Sequence, residues 1–144
     1  MILTLKVTCV LGMYFPTDCI RVIEMDSEGS LLALHDAIQD AVGFDRDHLF
    51  EFIVGRNHRN RKVVFAEDAA NWEEAVDVYA ETTLAQIYPL PSDCRLFYHF
   101  DFGDDWYFEI RKLRKPPFEP VPGVRYPRVT DRIGPNPEQY PRDE

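Results

Sequence analysis

Residues 98–110 read YHFDFGDDWYFEI, two aromatic-rich runs around a single glycine and three carboxylates, Asp101, Asp104 and Asp105. In a strand, alternate side chains share a face, and residues opposed across a hairpin lie on the same face. Leu96, Tyr98 and Phe100 make one apolar face of a first strand, and Trp106, Phe108 and Ile110 make one of a second. Pairing Phe100 with Trp106 sets Tyr98 opposite Phe108 and Leu96 opposite Ile110. It leaves Phe102, Gly103 and Asp104 as a three-residue loop and makes Asp101 face Asp105. A two-residue Gly-Asp turn would put apolar opposite polar throughout unless a bulge restored the phase. Like charges directly opposed destabilise a strand pair, so a compensating group is expected at this turn.

Working outward, the odd positions Leu3, Leu5, Val7, Cys9 and Leu11 alternate with Thr4, Lys6 and Thr8, the period of a half-buried strand. MYFPTD offers a turn and CIRVIEM a second strand, so the chain opens with a hairpin. Ser30 can cap SLLALHDAIQDAVG, whose Leu31, Leu34, His35, Ile38 and Val42 share a helical face, and Gly43 is a natural stop. HLFEFIVG reads as a third strand and VVF as a short fourth. Over residues 67–81, Trp72, Val76 and Tyr79 fit a helical stripe, while AVDVYAE fits a strand equally well. TTLAQI looks like one helical turn opening at a threonine.

From Pro116 onward the character changes, because eight of eleven prolines fall in the final 29 residues, a composition that cannot continue a sheet or helix. The expected organisation is therefore one α+β domain over 1–115 and a Pro-rich extended tail over 116–144, whether docked or loose. The order of elements resembles the β-grasp of ubiquitin-like domains: a mixed sheet, one main helix and an added C-terminal strand. The final residues YPRDE lack the Gly-Gly that conjugation requires.

With 144 residues the chain can remove about two thirds of its unfolded surface from water without a disulfide or metal staple. A net charge of −9 disfavours nucleic acid and anionic membranes except where cations cluster. Cys9, Cys19 and Cys94 are odd in number and form no CxxC pair, which argues against a disulfide framework and for a reducing, cytoplasmic setting. No apolar run approaches the roughly 18 residues of a membrane span, and neither a signal peptide nor an anchor is expected.

Three sources could balance the acidic turn. One is internal, with turn amides and arginines from the tail (Arg125, Arg128) or from the basic loop 56–62 (Arg56, Arg59, Arg61). A second is a divalent metal: Mg²⁺ or Ca²⁺ takes clustered carboxylates, and His35 or His48 could add a ligand, although no spacing here is diagnostic. The third is a basic partner surface. Asp101, Asp104, Asp105 and Trp106, with His35 and His48, are thus the ligand or partner candidates. For each histidine a hydrogen-bonded structural role is the ordinary reading. The 56–62 loop, with Arg56, Arg59, Arg61 and Lys62, is a basic cluster and the place where nucleic acid would bind. No Gly-rich phosphate loop, GxSxG elbow or HExxH is present, so the sequence carries no positive evidence for catalysis.

Three segments taken together, LHDAIQDAVGFDRDHLFEF, FYHFDFGDDWYFEI and PGVRYPRVTD, resemble the plasmid pRiA4b ORF-3-like family. Leu34, His35, Ile38, Gly43, His48, Leu49, Glu51 and Phe52 fit its helix-to-strand segment. Tyr98, Asp101, Phe102, Gly103, Asp104, Asp105 and Trp106 fit its acidic hairpin. The family has no established activity, and its members are often labelled mobile-element passengers with a resolvase-type name. Serine-resolvase chemistry needs a nucleophilic serine near the N-terminus, and MILTLKVTCVLGMYF contains none. Many members carry tail cysteines after the YP segment, where YPRVTDRIGPNPEQYP has none. The shared tail pattern implies that Tyr126, Pro127 and Arg128 dock on the domain. The leading expectation is a small soluble interaction module for a protein partner, with no required cofactor. Alternatives are a metal-dependent hydrolase or nuclease using Asp101, Asp104 and Asp105, and a nucleic-acid accessory protein.

Overall fold

A computed structural model describes residues 1–12, 18–46 and 48–139. The expected turn in MYFPTD falls largely, and the terminal YPRDE wholly, outside the described residues. Ten elements follow in order: β1 (Ile2–Leu11), β2 (Ile20–Asp26), α1 (Leu31–Val42), β3 (Phe50–Gly55), β4 (Arg61–Val64), α2 (Trp72–Glu81), α3 (Leu84–Ile87), β5 (Arg95–Phe100), β6 (Trp106–Lys112) and β7 (Arg128–Ile133).

The strands form one seven-stranded sheet in the order β4-β3-β5-β6-β1-β2-β7, and every neighbouring pair is antiparallel. This overturns the β-grasp expectation of a mixed sheet with one main helix. The acidic hairpin is the cause. In a ubiquitin-like sheet the last strand lies beside the first and runs parallel to it. Here β5 still runs in the direction of β1, but β6 folds back and inserts between them, so β1 meets an antiparallel neighbour on each side. The span 67–81 supplies a second helix as well. Asn71 caps it by accepting from Glu74 N at 2.9 Å, and Tyr79 and Ala75 turn inward.

Local signals read correctly elsewhere. Ser30 Oγ accepts from Ala33 N at 3.0 Å at the start of α1, and Gly43 ends that helix at φ 73°, a left-handed position where a Cβ would be strained. Thr83 and Gln86 form a reciprocal capping box on α3. The helices cover one face of the sheet, where Leu5, Val7, Ile23, Phe52, Tyr98, Phe108 and Ile110 pack against Leu31, Leu34, Ile38 and Tyr79. On the other face a smaller cluster of Ile53, Phe97 and Tyr107 is joined by Val10 and Val64.

The tail differs from the expectation that it could not continue a sheet. Arg128–Ile133 is free of proline, and β7 pairs with β2 as an edge strand, with a register shift between Val22 and Ile23. Phe118 exchanges backbone hydrogen bonds with Ile2, at 2.6 and 3.2 Å, so the intervening loop is anchored at both ends. No helix among the described residues is long and apolar enough to cross a membrane.

Candidate functional site: the acidic hairpin and its histidines

The register of the hairpin is the one parity demands: Leu96 faces Ile110, Tyr98 faces Phe108 and Phe100 faces Trp106. At the reversal Asp105 N donates to Asp101 O at 2.7 Å, and both residues adopt left-handed backbone, with φ of 58° at Asp101 and 52° at Asp105. Aspartate tolerates that region better than most side chains, which is one reason aspartates stand there.

The two opposed carboxylates are separated by environment. Asp101 is buried; its Oδ1 accepts from Gly103 N at 3.2 Å and Asp104 N at 3.3 Å, and its Oδ2 lies 3.4 Å from His48 Nε2. Asp101 N in turn donates to Leu49 O at 3.0 Å, tying the turn to the segment that enters β3. Asp105 is exposed, and its Oδ1 lies 2.8 Å from His99 Nε2. Turn amides and two histidines therefore answer the crowding of negative charge.

His99 was not among the candidates, and it is the hub. Its Nδ1 lies 2.6 Å from Glu51 Oε2, and its ring stacks on Tyr107 at 4.1 Å and 6°. Arg61 grips both oxygens of Glu51 at 3.0 and 3.1 Å and donates to the Tyr107 hydroxyl at 2.8 Å. His58 lies over the same Tyr107, centroids 4.8 Å apart. Burial works to raise the Glu51 pKa, but the His99 hydrogen bond and the Arg61 charge outweigh it, and the carboxyl is held below its ordinary value. The signal for this cluster was available. His99 and Tyr107 are odd-numbered, like Asp101 and Asp105, so the parity that sends Tyr98 and Phe108 inward sends them to the opposite face.

The remaining candidates are dispersed. Trp106 is fully buried against Phe44, centroids 5.0 Å apart, and a Cβ at Gly12 would stand 2.3 Å from its ring, so the indole belongs to the core. His35 is buried too, stacked on Phe50 at 3.7 Å, with Nδ1 2.5 Å from the Tyr98 hydroxyl, to which Gln39 also donates at 2.9 Å. Burial is the main cause that lowers the His35 pKa to about 4, so at neutral pH the ring is uncharged. Arg128 pairs with Glu24 on β2 at 2.7 Å, while Arg125 and Arg59 are exposed. Arg56 lines a cavity with Arg95. Among the described residues, no group of three or more His, Cys, Asp or Glu side chains is arranged to hold a metal ion.

A protein of unknown function from Methanosarcina mazei Go1 has a similar crystal structure, with a TM-score of 0.65 and 22% identity, covering 91% of this chain and 68% of that one. At that identity the likeness concerns the fold. No curated protein matches the sequence. The family model described as plasmid pRiA4b ORF-3-like protein matches residues 3–139, nearly the whole chain, and the match embraces helix, acidic hairpin and tail together; the chain belongs to that family.

Proposed function

We propose that the protein is a small interaction module that engages a protein partner through the end of the sheet carrying the acidic hairpin. The observation that supports this reading is the surface at that end. Phe102 on the hairpin tip is 45% exposed and Leu49, at the entry to β3, is 48% exposed, while Asp105 stands bare and Asp104 half-bare beside them. Leu11 and Ile133 end β1 and β7, on either side of β2, at the same end of the sheet and are exposed as well. Apolar side chains grouped within a charged rim are the usual composition of a recognition surface. A partner that fits would bring apolar side chains flanked by lysine or arginine. The family's name refers to a plasmid reading frame, so proteins encoded on mobile elements are the first to screen.

The test is affinity capture followed by reconstitution with the purified partner. It compares wild type with the double variant Phe102→Ser/Leu49→Ser and with Val63→Ser, a control at an exposed apolar residue of β4. A partner kept by the control and lost by the double variant, at unchanged melting temperature, supports the reading. A partner that binds the double variant as tightly as wild type removes it.

A further inference from the structure

Nine residues of sequence separate Cys9 from Cys19, and the fold sets the two face to face. Continuing the β1–β2 register by one residue beyond Thr8 and Ile20 makes Cys9 and Cys19 direct partners, and Cys9 N donates to Cys19 O at 3.0 Å. Partners across a ladder carry their side chains on the same face, and both cysteines belong to the core beneath the helices, 3% and 2% exposed. Both are free thiols. The pair does not depend on the partner surface proposed above.

A hydrogen-bonded antiparallel pair has Cα atoms about 5.5 Å apart, within the roughly 4.4–6.8 Å that a disulfide spans. The Cβ atoms of opposed residues lie about 4.5–5.5 Å apart, at or just beyond the roughly 3.5–4.5 Å of an unstrained bond. A cross-link between Cys9 and Cys19 therefore needs only a small closing movement, but it holds strain once formed. Strain makes a disulfide easier to reduce, so this position suits a reversible bond and not a permanent staple.

We infer that Cys9 and Cys19 are an oxidisable pair, converted by hydrogen peroxide into a cross-strand disulfide that a small thiol reopens. Burial raises both thiols, Cys9 to about 12 with Cys19 adding to it, whereas the Arg21 guanidinium pulls Cys19 the other way. Cys19 is then the nucleophile, since the thiolate and not the thiol reacts. Its sulfur takes one oxygen from the peroxide, breaking the O–O bond and releasing water, and becomes a sulfenic acid. The Cys9 sulfur displaces that oxygen as a second water, its own thiol proton leaving with it, and the S–S bond forms. Two thiols lose two electrons and two protons, and the peroxide is reduced to two waters. Burial slows the first step but not the second, because the partner sulfur is already opposite.

Trypsin cuts after Lys6 and Arg21, which leaves both cysteines on one peptide, residues 7–21. Native protein is treated with hydrogen peroxide, quenched, denatured and alkylated with iodoacetamide, and the mass of that peptide is measured before and after reduction. The expected product is lighter by two hydrogens and takes no alkyl group until it is reduced. It should form in Cys94→Ser as in wild type, and glutathione should reopen it in the native protein. Cys9→Ala leaves Cys19 without a partner, so its oxidation should appear as added oxygen or bound glutathione. Failure of the linked peptide to form from native protein, its formation only in urea, or linkage through Cys94 in its place overturns the assignment. Resistance of the bond to glutathione overturns it as well, since the strained geometry on which it rests requires an easily reduced disulfide.

Discussion

His99 stands between two carboxylates, with Nδ1 2.6 Å from Glu51 and Nε2 2.8 Å from Asp105. Ionised carboxylates only accept, so both contacts are satisfied as hydrogen bonds when both ring nitrogens carry protons. The two partners differ in exposure: the Glu51 side chain is 15% exposed and that of Asp105 55%. Removing the histidine therefore hurts mainly through Glu51. We expect His99→Phe to cost about 2–3 kcal/mol in urea unfolding, with a coupling of about 1–2 kcal/mol to Glu51→Gln in a double-mutant cycle. Asp105→Asn should cost less than about 1 kcal/mol. Because the Glu51 pKa is depressed in the fold, its contribution is present at neutral pH and is lost as pH falls below 4.5 through the folded value. A coupling near zero would show that the geometry is not an energetic unit.

His35 gives a second pH dependence in a higher window. Its folded pKa of about 4 lies below the ordinary 6.5, with burial the main cause and Arg46 adding to it against the pull of Asp36. Between those values the unfolded chain binds one more proton than the native one. Stability is then complete above pH 6.5 and declines as pH falls toward 4, by about 1.4 kcal/mol per pH unit at most. His35→Gln, which can still bond the Tyr98 hydroxyl, should flatten that part of the profile. Parallel slopes for variant and wild type between pH 6.5 and 4 would contradict the assignment.

The same two histidines mark what sequence could and could not reveal. The 3.6-residue period placed His35 inward because Leu31, Leu34 and Ile38 surround it, and the period of two placed Tyr98 opposite Phe108; both are local signals. Periodicity also assigns His99 to the outer face, but nothing local says that Glu51 and Arg61, which come from other strands, will meet it there. Strand order is non-local in the same way. The insertion of β6 between β5 and β1 leaves every strand's own alternation unchanged, so a β-grasp and the observed antiparallel sheet predict the same pattern of inward residues. The edge strand β7 was masked by the prolines around it, because the composition of 116–144 hides a proline-free stretch at Arg128–Ile133.

The turn itself is open to test at Asp101. Its side chain does two things: it accepts from Gly103 N and Asp104 N, and it faces His48, while its backbone holds φ at 58°. Asparagine keeps the acceptor oxygen and the left-handed tolerance but loses the charge, so Asp101→Asn should cost about 1 kcal/mol. Alanine loses all three, and Asp101→Ala should cost about 2–3 kcal/mol. Equal losses for the two variants in urea unfolding would mean that the turn amides do not depend on this acceptor.

Arg21 is the buried clamp that joins the tail to the rest of the fold. It is 2% exposed, and its guanidinium donates to four acceptors: Ala41 O at 3.1 Å, Ile20 O at 2.8 Å, Ile133 O at 3.1 Å and Asn136 Oδ1 at 2.7 Å. Ala41 lies in the last turn of α1, where carbonyls have no helical partner and the helix dipole favours a cation, and Arg132 donates to the same oxygen at 2.7 Å. One side chain thereby connects α1, β2, the end of β7 and the segment beyond it. Methionine would fill much of the volume but satisfy none of those acceptors. Arg21→Met should cost about 3 kcal/mol or more globally. Its distinguishing mark should be selective: hydrogen exchange of the β7 amides accelerates far more than that of β5 and β6, because β7 is an edge strand whose other supports are its ladder to β2, the Arg128–Glu24 pair and the Arg132 bond to Ala41 O. Uniform acceleration across the sheet would mean that Arg21 supports the domain as a whole and does not hold the tail in particular.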